Sequence, residues 1–304
     1  MDTYNDIYLR ARRKLRGAGI TSPDLEARLI IAHVAGKTRE ELLSSSRLYV
    51  TDYAVTRTVD EMVDRRLAGE PVAYILGEWE FYGLPVVVSK AVLIPRVDTE
   101  LLAQEAIKQM KIKSRGGQAR MLDLCAGSGC IGLAVAAHVP DCRIVLADDS
   151  EQALAVCRAN MLKNHLSRNV TAIEADALEP PPALLGTFDL IVSNPPYIPT
   201  RELDGLDASV RDHEPLRALD GGPDGLYFFR AITSNWPAIL KPGGRIAFEC
   251  GAGQADAVWA ILEEGGFGGI SVHKDTQGIQ RVVIGTLKAA AAANGKQKRE
   301  KEKG

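Results

Sequence analysis

The tetrapeptide Asn194-Pro195-Pro196-Tyr197, called the NPPY segment below, is the most informative part of this 304-residue sequence. It closely follows a hydrophobic run, residues 188–192, that is typical of a buried strand. Each proline fixes φ and lacks an N–H, and the residue before a proline favours extended backbone, so the segment is stiff and its carbonyl groups have few local donors. A side-chain amide and free carbonyl groups at a strand end can accept hydrogen bonds from a planar NH2 group. A rigid turn would explain the prolines alone.

A second segment with chemical potential lies about 65 residues upstream, between Met121 and Gly132. It passes from a strand pattern through a glycine-rich turn into a helix pattern, and its glycines match G-x-G-x-x-G. Asp148 ends the next predicted strand, nineteen residues after Gly129, where a carboxylate can reach ribose hydroxyl groups. A dinucleotide site is therefore one interpretation, and tight packing of helix on strand is another.

Two further acidic residues favour S-adenosylmethionine over a dinucleotide. Asp123 lies inside the first strand of this region, where a carboxylate can meet the ammonium group of a methionyl moiety and would repel a pyrophosphate. Asp176 follows the third strand and can accept a hydrogen bond from an adenine amino group, although an ordinary turn or N-cap aspartate also fits there. The predicted cofactor-binding residues are Asp123, Ala126, Gly127, Ser128, Gly129, Cys130, Asp148, Asp176, Ala177 and Asn194.

The elements that must position these residues alternate between strand and helix from Arg120 onward. Hydrophobic runs predict strands near residues 120–125, 143–148, 170–175, 187–193, 244–250, 269–274 and 281–287. This alternation predicts a mostly parallel sheet covered on both faces, and the last two strands are too close in sequence for a crossover and should be antiparallel. Ligands bind such sheets where the strand order reverses, which places the NPPY segment beside the glycine turn.

Four regions are predicted along the chain. Residues 1–71 have apolar positions at helical spacing without strand alternation, which predicts a small helical domain. Residues 72–95 consist of short extended runs broken by glycine and proline, which predicts a β-hairpin linker. Residues 96–287 contain the alternating α/β region. Residues 288–304 are mainly alanine followed by charged residues, which predicts a fraying helix or a disordered charged tail.

The amino-acid composition disfavours several classes of function. The formal net charge is −2, but residues 1–287 hold 31 basic and 37 acidic side chains, a balance that does not suit a general nucleic-acid binder. The five cysteines form no C-x-x-C pair, which disfavours disulfides and a zinc site and fits a reducing cytosol. No apolar run suggests export or membrane spanning, and no metal is expected at the site.

The segment 123–129 together with the NPPY segment resembles the class I methyltransferases that modify exocyclic or amide nitrogens. Two more segments, within residues 69–82 and 93–100, make the chain similar to the peptide chain release factor glutamine N5-methyltransferases over residues 3–287. The resemblance implies a Rossmann-like seven-stranded sheet, an N-terminal helical-bundle domain that recognises the substrate, and S-adenosylmethionine as methyl donor, with S-adenosylhomocysteine as product. It also implies that the acceptor is the glutamine of a Gly-Gly-Gln motif in release factors. We expect a cytoplasmic monomer without direct binding to nucleic acid or membrane.

The predicted catalytic residues are Asn194, Pro195 and Tyr197, and Pro196 joins them in binding the substrate. An amide nitrogen is a poor nucleophile because its lone pair is delocalised. The Asn194 side-chain oxygen and the Pro195 carbonyl are expected to accept hydrogen bonds from the glutamine NH2 and hold the nitrogen in line with the methyl group, while the Tyr197 ring packs on the flat amide. Direct methyl displacement of this kind needs no dedicated base.

The sequence departs from the family pattern at two positions, and other functions stay open. Cys125 stands where the superfamily often has glycine, and Val97 where a second proline is expected. Asp98 is interpreted as a helix N-cap. The nearest alternative is an adenine-N6 or cytosine-N4 nucleic-acid methyltransferase, whose substrate presents the same planar NH2. A nicotinamide-dependent oxidoreductase and a noncatalytic docking protein are more distant alternatives.

Overall fold

The structure of the protein, a computed structural model, describes residues 1–288. The predicted tail, apart from Lys288, lies outside the described residues. Two compact units are formed: residues 1–78 with 207–213, and residues 79–206 with those from Glu214 onward. The predicted domain boundaries at residues 71, 95 and 287 stay predictions.

The α-helices are, in chain order, α1 (Tyr4–Gly17), α2 (Pro23–Ala35), α3 (Arg39–Ser44), α4 (Tyr53–Leu67), α5 (Val72–Leu76), α6 (Thr99–Ser114), α7 (Cys130–His138), α8 (Glu151–Lys163), α9 (Ala208–Arg211), α10 (Tyr227–Asn235) and α11 (Ala255–Glu264). Short 3-10 segments occur at Thr200–Gly205, Leu216–Ala218 and Trp236–Ile239. The strands are β1 (Glu78–Phe81), β2 (Leu84–Val87), β3 (Arg120–Leu124), β4 (Arg143–Asp148), β5 (Val170–Glu174), β6 (Phe188–Ser193), β7 (Leu240–Glu249), β8 (Phe267–Lys274) and β9 (Gln280–Leu287).

The first unit is helical, and its helices begin and end at residues suited to those positions. The Thr3 hydroxyl accepts from the backbone of Asp6 while the Asp6 carboxylate accepts from Thr3, a capping box that starts α1. Gly36 adopts a left-handed conformation at the end of α2. Apolar side chains at helical spacing, among them Leu15 and Val63, are fully buried and form the core of this unit.

Residues 72–76 form helix α5, so the prediction of extended chain from Val72 was wrong there. Pro71 occupies the N-cap position and Gly77 ends the helix in a left-handed conformation. Both flanking residues favour a helical turn, and burial of the turn outweighs the strand preference of its β-branched residues. The predicted hairpin follows as β1 and β2, which form a two-stranded sheet. Tyr82 and Gly83 join them, both at positive φ, as a type I′ turn requires.

The second unit is built on a seven-stranded sheet with the order β5-β4-β3-β6-β7-β9-β8. Strands β3 to β7 run parallel to one another, and β9 runs antiparallel to both of its neighbours, β7 and β8. The seven-stranded sheet and the antiparallel terminal pair are therefore confirmed. Strand order reverses between β3 and β6, the first and fourth strands of the sheet, as the sequence predicted.

A large aromatic cluster fixes one face of the sheet. Trp236, Phe229 and Phe248 are fully buried, and the rings of Phe229 and Phe248 meet edge to face at 5.2 Å. The Trp236 indole Nε1 donates a 3.0 Å hydrogen bond to the carbonyl of Ala177. Packing on this face therefore also holds the loop that follows β5, where two predicted cofactor residues lie.

Candidate active site

Three neighbouring strands end at one level at the carboxyl edge of the sheet. Leu124 of β3 pairs with Ala147 of β4 on one side and with Ser193 of β6 on the other. The residues that follow along these strands are Cys125, Asp148 and Asn194. The register thus brings together the glycine turn, the predicted ribose-binding acid and the start of the NPPY segment.

A cleft opens at this edge of the sheet. Most of the predicted site residues line it: Ala126, Gly127, Ser128, Cys130, Asp148, Asp176, Ala177, Asn194 and Pro196. Four others, Asp123, Gly129, Pro195 and Tyr197, lie outside the lining.

The glycines of the turn serve two physical purposes. Gly127 and Gly129 have φ of 55° and 78°, and a Cβ added to Gly127 would meet nothing within 4 Å. Gly132 instead permits close packing, because its Cβ would lie 2.9 Å from Ile144 Cγ2 and 3.1 Å from the Asp123 carboxylate. Backbone conformation therefore explains why glycine occurs at position 127, and close packing explains it at position 132. At Gly127 the cleft is lined by backbone without a side chain.

The carboxylate of Asp148 is held by the turn that it faces. It accepts hydrogen bonds from the backbone N–H of Gly127 at 2.9 Å and of Ser150 at 3.0 Å. Burial raises the pKa of Asp148, while these two hydrogen bonds act to lower it. A carboxylate has about four acceptor positions, so two bonds leave capacity for ligand hydroxyl groups. Asp176 likewise uses one oxygen to accept from the N–H of Leu178 at 2.8 Å.

Asp123 lies beneath the turn and is completely buried. Its Oδ2 accepts from the N–H of Gly132 at 2.8 Å, and its Oδ1 has no hydrogen-bond partner within residues 1–288. Burial raises the pKa of Asp123 to about 8, and the nearby charge of Asp148 adds to the shift. Contact between Asp123 and an ammonium group stays a prediction, for which Oδ1 is the available atom.

Neighbouring segments hold the NPPY segment in place. The N–H of Ile198 donates to the carbonyl of Leu219 at 3.0 Å, and the N–H of Gly221 returns a bond to the carbonyl of Ile198 at 2.8 Å. Gln254 Nε2 donates to the carbonyl of Tyr197 at 2.9 Å. A Cβ at Gly221 would lie 2.7 Å from Tyr197 Cα, so the two backbones are in close contact.

Two side chains of the NPPY segment differ in their hydrogen bonding and protonation. Asn194 Nδ2 donates to the hydroxyl of Thr99 at 3.3 Å, and its Oδ1 accepts no hydrogen bond within the described residues. Burial raises the pKa of Tyr197 to about 12, so the phenol is neutral at physiological pH. The cleft therefore presents one amide acceptor at the end of β6, with a neutral aromatic ring close by.

Comparison with known proteins decides the family. The PrmC N-terminal domain matches residues 6–77, and the methyltransferase small domain matches residues 79–206. The release factor glutamine methyltransferase of Thermodesulfovibrio yellowstonii is 39% identical over 85% of this chain and 91% of its own length. Those of Geobacter sulfurreducens and Caulobacter vibrioides are 44% and 38% identical, over 74% and 90% of this chain and 76% and 93% of theirs. The chain belongs to the release factor glutamine methyltransferase family. The predicted resemblance is confirmed.

Solved structures support the fold of this family member. A methyltransferase from Pyrococcus furiosus is 16% identical, with a TM-score of 0.51, over 75% of this chain and 99% of that one. The hMettl16 catalytic domain, solved with MAT2A 3'UTR hairpin 6, is 15% identical, with a TM-score of 0.53, over 68% and 76%. At such identities the likeness concerns the fold alone, and it agrees with the predicted class I methyltransferase architecture.

Family membership makes the protein a methyltransferase and does not favour the oxidoreductase, docking or nucleic-acid alternatives. The cleft fits the methyl donor of such an enzyme. Asp148 and Asp176 both line it with acceptor capacity, and the orphaned Oδ1 of Asp123 lies behind the turn. No cluster of three or more metal-ligating side chains occurs in residues 1–288. No helix among these residues is long and apolar enough to cross a membrane.

Both departures from the family pattern are visible in the release factor glutamine methyltransferase fold. Cys125 has a φ of 61°, so a side chain occupies a left-handed position usually given to glycine. Val97 is 78% exposed. Asp98 occupies the predicted N-cap position of α6, but its backbone is helical and its side chain makes no capping hydrogen bond. It faces Arg281 instead, with 3.3 Å between Oδ2 and Nη2.

Several residues that line the cleft were missed by sequence reasoning. They come from the segment before α6 and the first residue of that helix, from the β4–α8 loop and from the region after β6: Ala91, Val92, Leu93, Pro95, Arg96, Thr99, Asp149, Ser150, Arg217, Ala218 and Phe228. The motif at 93–100 was a signal for the first group, although no role had been assigned to it. Arg217 carried no local signal, since it reaches the cleft through a 2.5 Å ion pair with Asp149, 68 positions away.

Proposed function

We propose that this enzyme transfers a methyl group from S-adenosylmethionine to the side-chain amide N5 of the glutamine in the Gly-Gly-Gln motif of class I peptide chain release factors. The observation that supports the proposal is that β4 and β6 end in register with β3. Asp148 and Asn194, at the ends of these two strands, therefore line the same cleft. The reaction belongs to translation termination and takes place in the cytoplasm.

The NPPY segment prepares the amide nitrogen for attack. Asn194 Oδ1 and the Pro195 carbonyl accept hydrogen bonds from the two N–H groups of the glutamine, which directs the nitrogen toward the methyl group and favours pyramidal geometry. Tyr197, neutral because of its raised pKa, packs its ring on the amide and excludes water. Pro196, which lines the cleft, completes the substrate-binding surface.

The cofactor is held by the opposite wall. Asp148 would bind the ribose hydroxyl groups, Asp176 would accept from the adenine amino group, and the turn 126–130 would hold the methionyl part of the cofactor. Oδ1 of Asp123, which has no other partner among the described residues, would accept a hydrogen bond from the ammonium group. When bound, S-adenosylmethionine supplies an electrophilic methyl group on a positively charged sulfur. After transfer the amide nitrogen is strongly acidic, and its proton leaves to water or to the accepting carbonyl, so no dedicated base is used.

The domain organisation assigns docking and catalysis to different regions. Residues 1–71 recognise the release factor, residues 72–95 act as a hairpin linker, and residues 96–287 carry out the transfer. The enzyme acts as a monomer without direct contact to nucleic acid. The family relationship supports this division, because the PrmC N-terminal domain matches residues 6–77.

Labelled S-adenosylmethionine tests the proposal. The purified protein is incubated separately with release factor, tRNA, rRNA and DNA, and peptide mass spectrometry locates the methyl group. We expect label on release factor alone, at the glutamine of Gly-Gly-Gln. A release factor with that glutamine replaced by alanine is the matched control and should stay unlabelled. Label on RNA or DNA without label on release factor would support the nucleic-acid alternative.

A further inference from the structure

A buried acid at the carboxyl end of β7, Glu249, has no part in the reaction described above. We propose that Glu249 is a positioning residue that, together with Thr99, holds the side-chain amide of Asn194 with Nδ2 turned inward and Oδ1 turned toward the substrate nitrogen. This inference rests on the proposed function.

The sheet register places Glu249 next to Asn194. Ser193 of β6 pairs with Phe248 of the parallel strand β7, so Asn194 and Glu249 are the next residues at the same level on neighbouring strands. Equivalent positions on adjacent parallel strands direct their side chains to the same side of the sheet. Thr99, the first residue of α6, reaches the same place and lies 3.3 Å from Asn194 Nδ2.

The three side chains form a polar group with little access to water. Glu249 and Thr99 are 2% and 3% exposed. Thr99 and Asn194 both act to lower the pKa of Glu249, and the Oε2 atom of Glu249 has no hydrogen-bond partner within residues 1–288. It forms no ion pair in this part of the chain, since Arg281 is engaged by Asp98 and Asp275, each at 3.3 Å.

The orientation of an asparagine amide follows from what surrounds each end. The NH2 end offers two donors and the oxygen end only acceptors, so their assignment follows from the hydrogen-bond network. A hydroxyl group and an ionised carboxylate next to one end favour NH2 there, because Oδ1 facing a carboxylate would be repelled. With NH2 fixed inward, Oδ1 is the end left to accept from the glutamine of the substrate.

The ionisation of Glu249 matters for this role. Burial raises the pKa of Glu249 to about 7, against the lowering effects of Thr99, Arg281 and Asn194, and Asp98 adds to the rise. Tyr197, Cys130 and Cys250 also lie within its electrostatic reach. Below the pKa, the neutral acid can donate a hydrogen bond to Asn194 Oδ1 and no longer enforces one orientation. Activity should therefore fall as the pH is lowered through about 7.

Glu249→Gln tests the role with little change of volume. The glutamine NH2 can donate to Asn194 Oδ1 and stabilise the wrong orientation. We expect kcat to fall by about tenfold or more, with the calorimetric affinity for S-adenosylmethionine changed by less than about threefold. The pH dependence near 7 should disappear. The matched control is Glu263→Gln, at an exposed position late in α11, which should retain the kcat and the pH profile of the parent.

A double-mutant cycle separates positioning from a merely structural role. In the Asn194→Ala background, measured by single turnover, Glu249→Gln should cause no further loss, because it acts only through Asn194. A further loss of about tenfold in that background would overturn the inference, as would single-variant activity within about threefold of the parent. Failure of the parent to methylate release factor would instead refute the proposed function.

Thr99 provides an independent arm if Glu249→Gln does not fold. Thr99→Val removes the hydroxyl group at nearly constant volume, and Thr99→Ser restores it. The inference predicts a loss of kcat in the valine variant, its rescue in the serine variant, and no effect of either in the Asn194→Ala background. Equal activity of the valine and serine variants would overturn it.

Discussion

The side-chain amide of Asn194 lies 3.3 Å from the hydroxyl group of Thr99, although 95 positions separate the two residues in the chain. Thr99 begins α6, and the segment before this helix lines the cleft through Pro95 and Arg96. Arg96 is held in turn by an ion pair with the buried carboxylate of Glu214. The motif at residues 93–100 therefore contributes to the site by supporting the NPPY segment as well as by forming a wall.

Removal of the Asn194 side chain should affect transfer more than cofactor binding. We expect Asn194→Ala to lower kcat/KM for release factor by about 100-fold, roughly 2.7 kcal/mol of transition-state stabilisation, because one of two acceptors for the glutamine NH2 is lost. Peptide mass spectrometry measures the transfer, and calorimetry checks that the cofactor still binds. Activity within about threefold of the parent would contradict the role of this residue.

Asp148→Asn should weaken the binding of S-adenosylmethionine. The amide keeps the size of the side chain but loses the charge and one pair of acceptor positions, and hydrogen bonds to charged groups contribute about 1.5–3 kcal/mol. We expect Kd to rise by at least about tenfold in calorimetry. Asp141→Asn, on an exposed loop before β4, is the matched control. Equal affinities of the Asp148→Asn variant and the parent would reject the predicted ribose contact.

Tyr197 should act through its ring and not through its hydroxyl group. Since burial raises its pKa to about 12, the phenol stays protonated throughout the physiological range and contributes no titration there. Tyr197→Phe should retain kcat within about threefold and an unchanged pH profile, while Tyr197→Ala should lose at least about tenfold. A pH profile altered between 6 and 9 in the phenylalanine variant would show that the hydroxyl group takes part.

The left-handed backbone at Cys125 should reverse the usual ranking of alanine and glycine. At a φ of 61° a Cβ costs about 1–2 kcal/mol, so Cys125→Gly should be more stable than Cys125→Ala despite the entropy of glycine. Chemical denaturation measures both free energies of unfolding. Cys250, buried and absent from the positions with positive φ, is the control, and there the alanine variant should be more stable than the glycine variant. The same ranking at both positions would refute the strain at Cys125.

The α/β unit was predictable because buried parallel strands are written as nearly continuous apolar runs. Residues 143–148 were predicted and found as β4, and 187–193 differ from β6 by one residue at the start. The predicted reversal of strand order placed the NPPY segment beside the glycine turn at the carboxyl edge of the sheet. Residues 72–76 were missed because valine and isoleucine favour strands locally, whereas Pro71 and Gly77 enclose a buried helical turn.

The supporting residues of the site were beyond sequence reasoning for a different reason. Asp98 has the local pattern of an N-cap, and only folding brings Arg281 within 3.3 Å of it. Glu249 ends a strand without any motif, and its proximity to Asn194 depends on the register of β6 with β7. Residue type indicates which side chains can do chemistry, but their neighbours follow from contacts between distant parts of the chain.

The close approach of Gly221 to the NPPY segment has a consequence for how the enzyme tolerates change. A single added carbon at position 221 would lie 2.7 Å from Tyr197 Cα and 2.8 Å from the Pro196 carbonyl oxygen, so the backbone of the segment would have to move. Position 221 has no functional group to lose, and yet any larger residue there would displace the backbone of the NPPY segment. The shape of the NPPY segment therefore depends on the absence of a side chain at position 221.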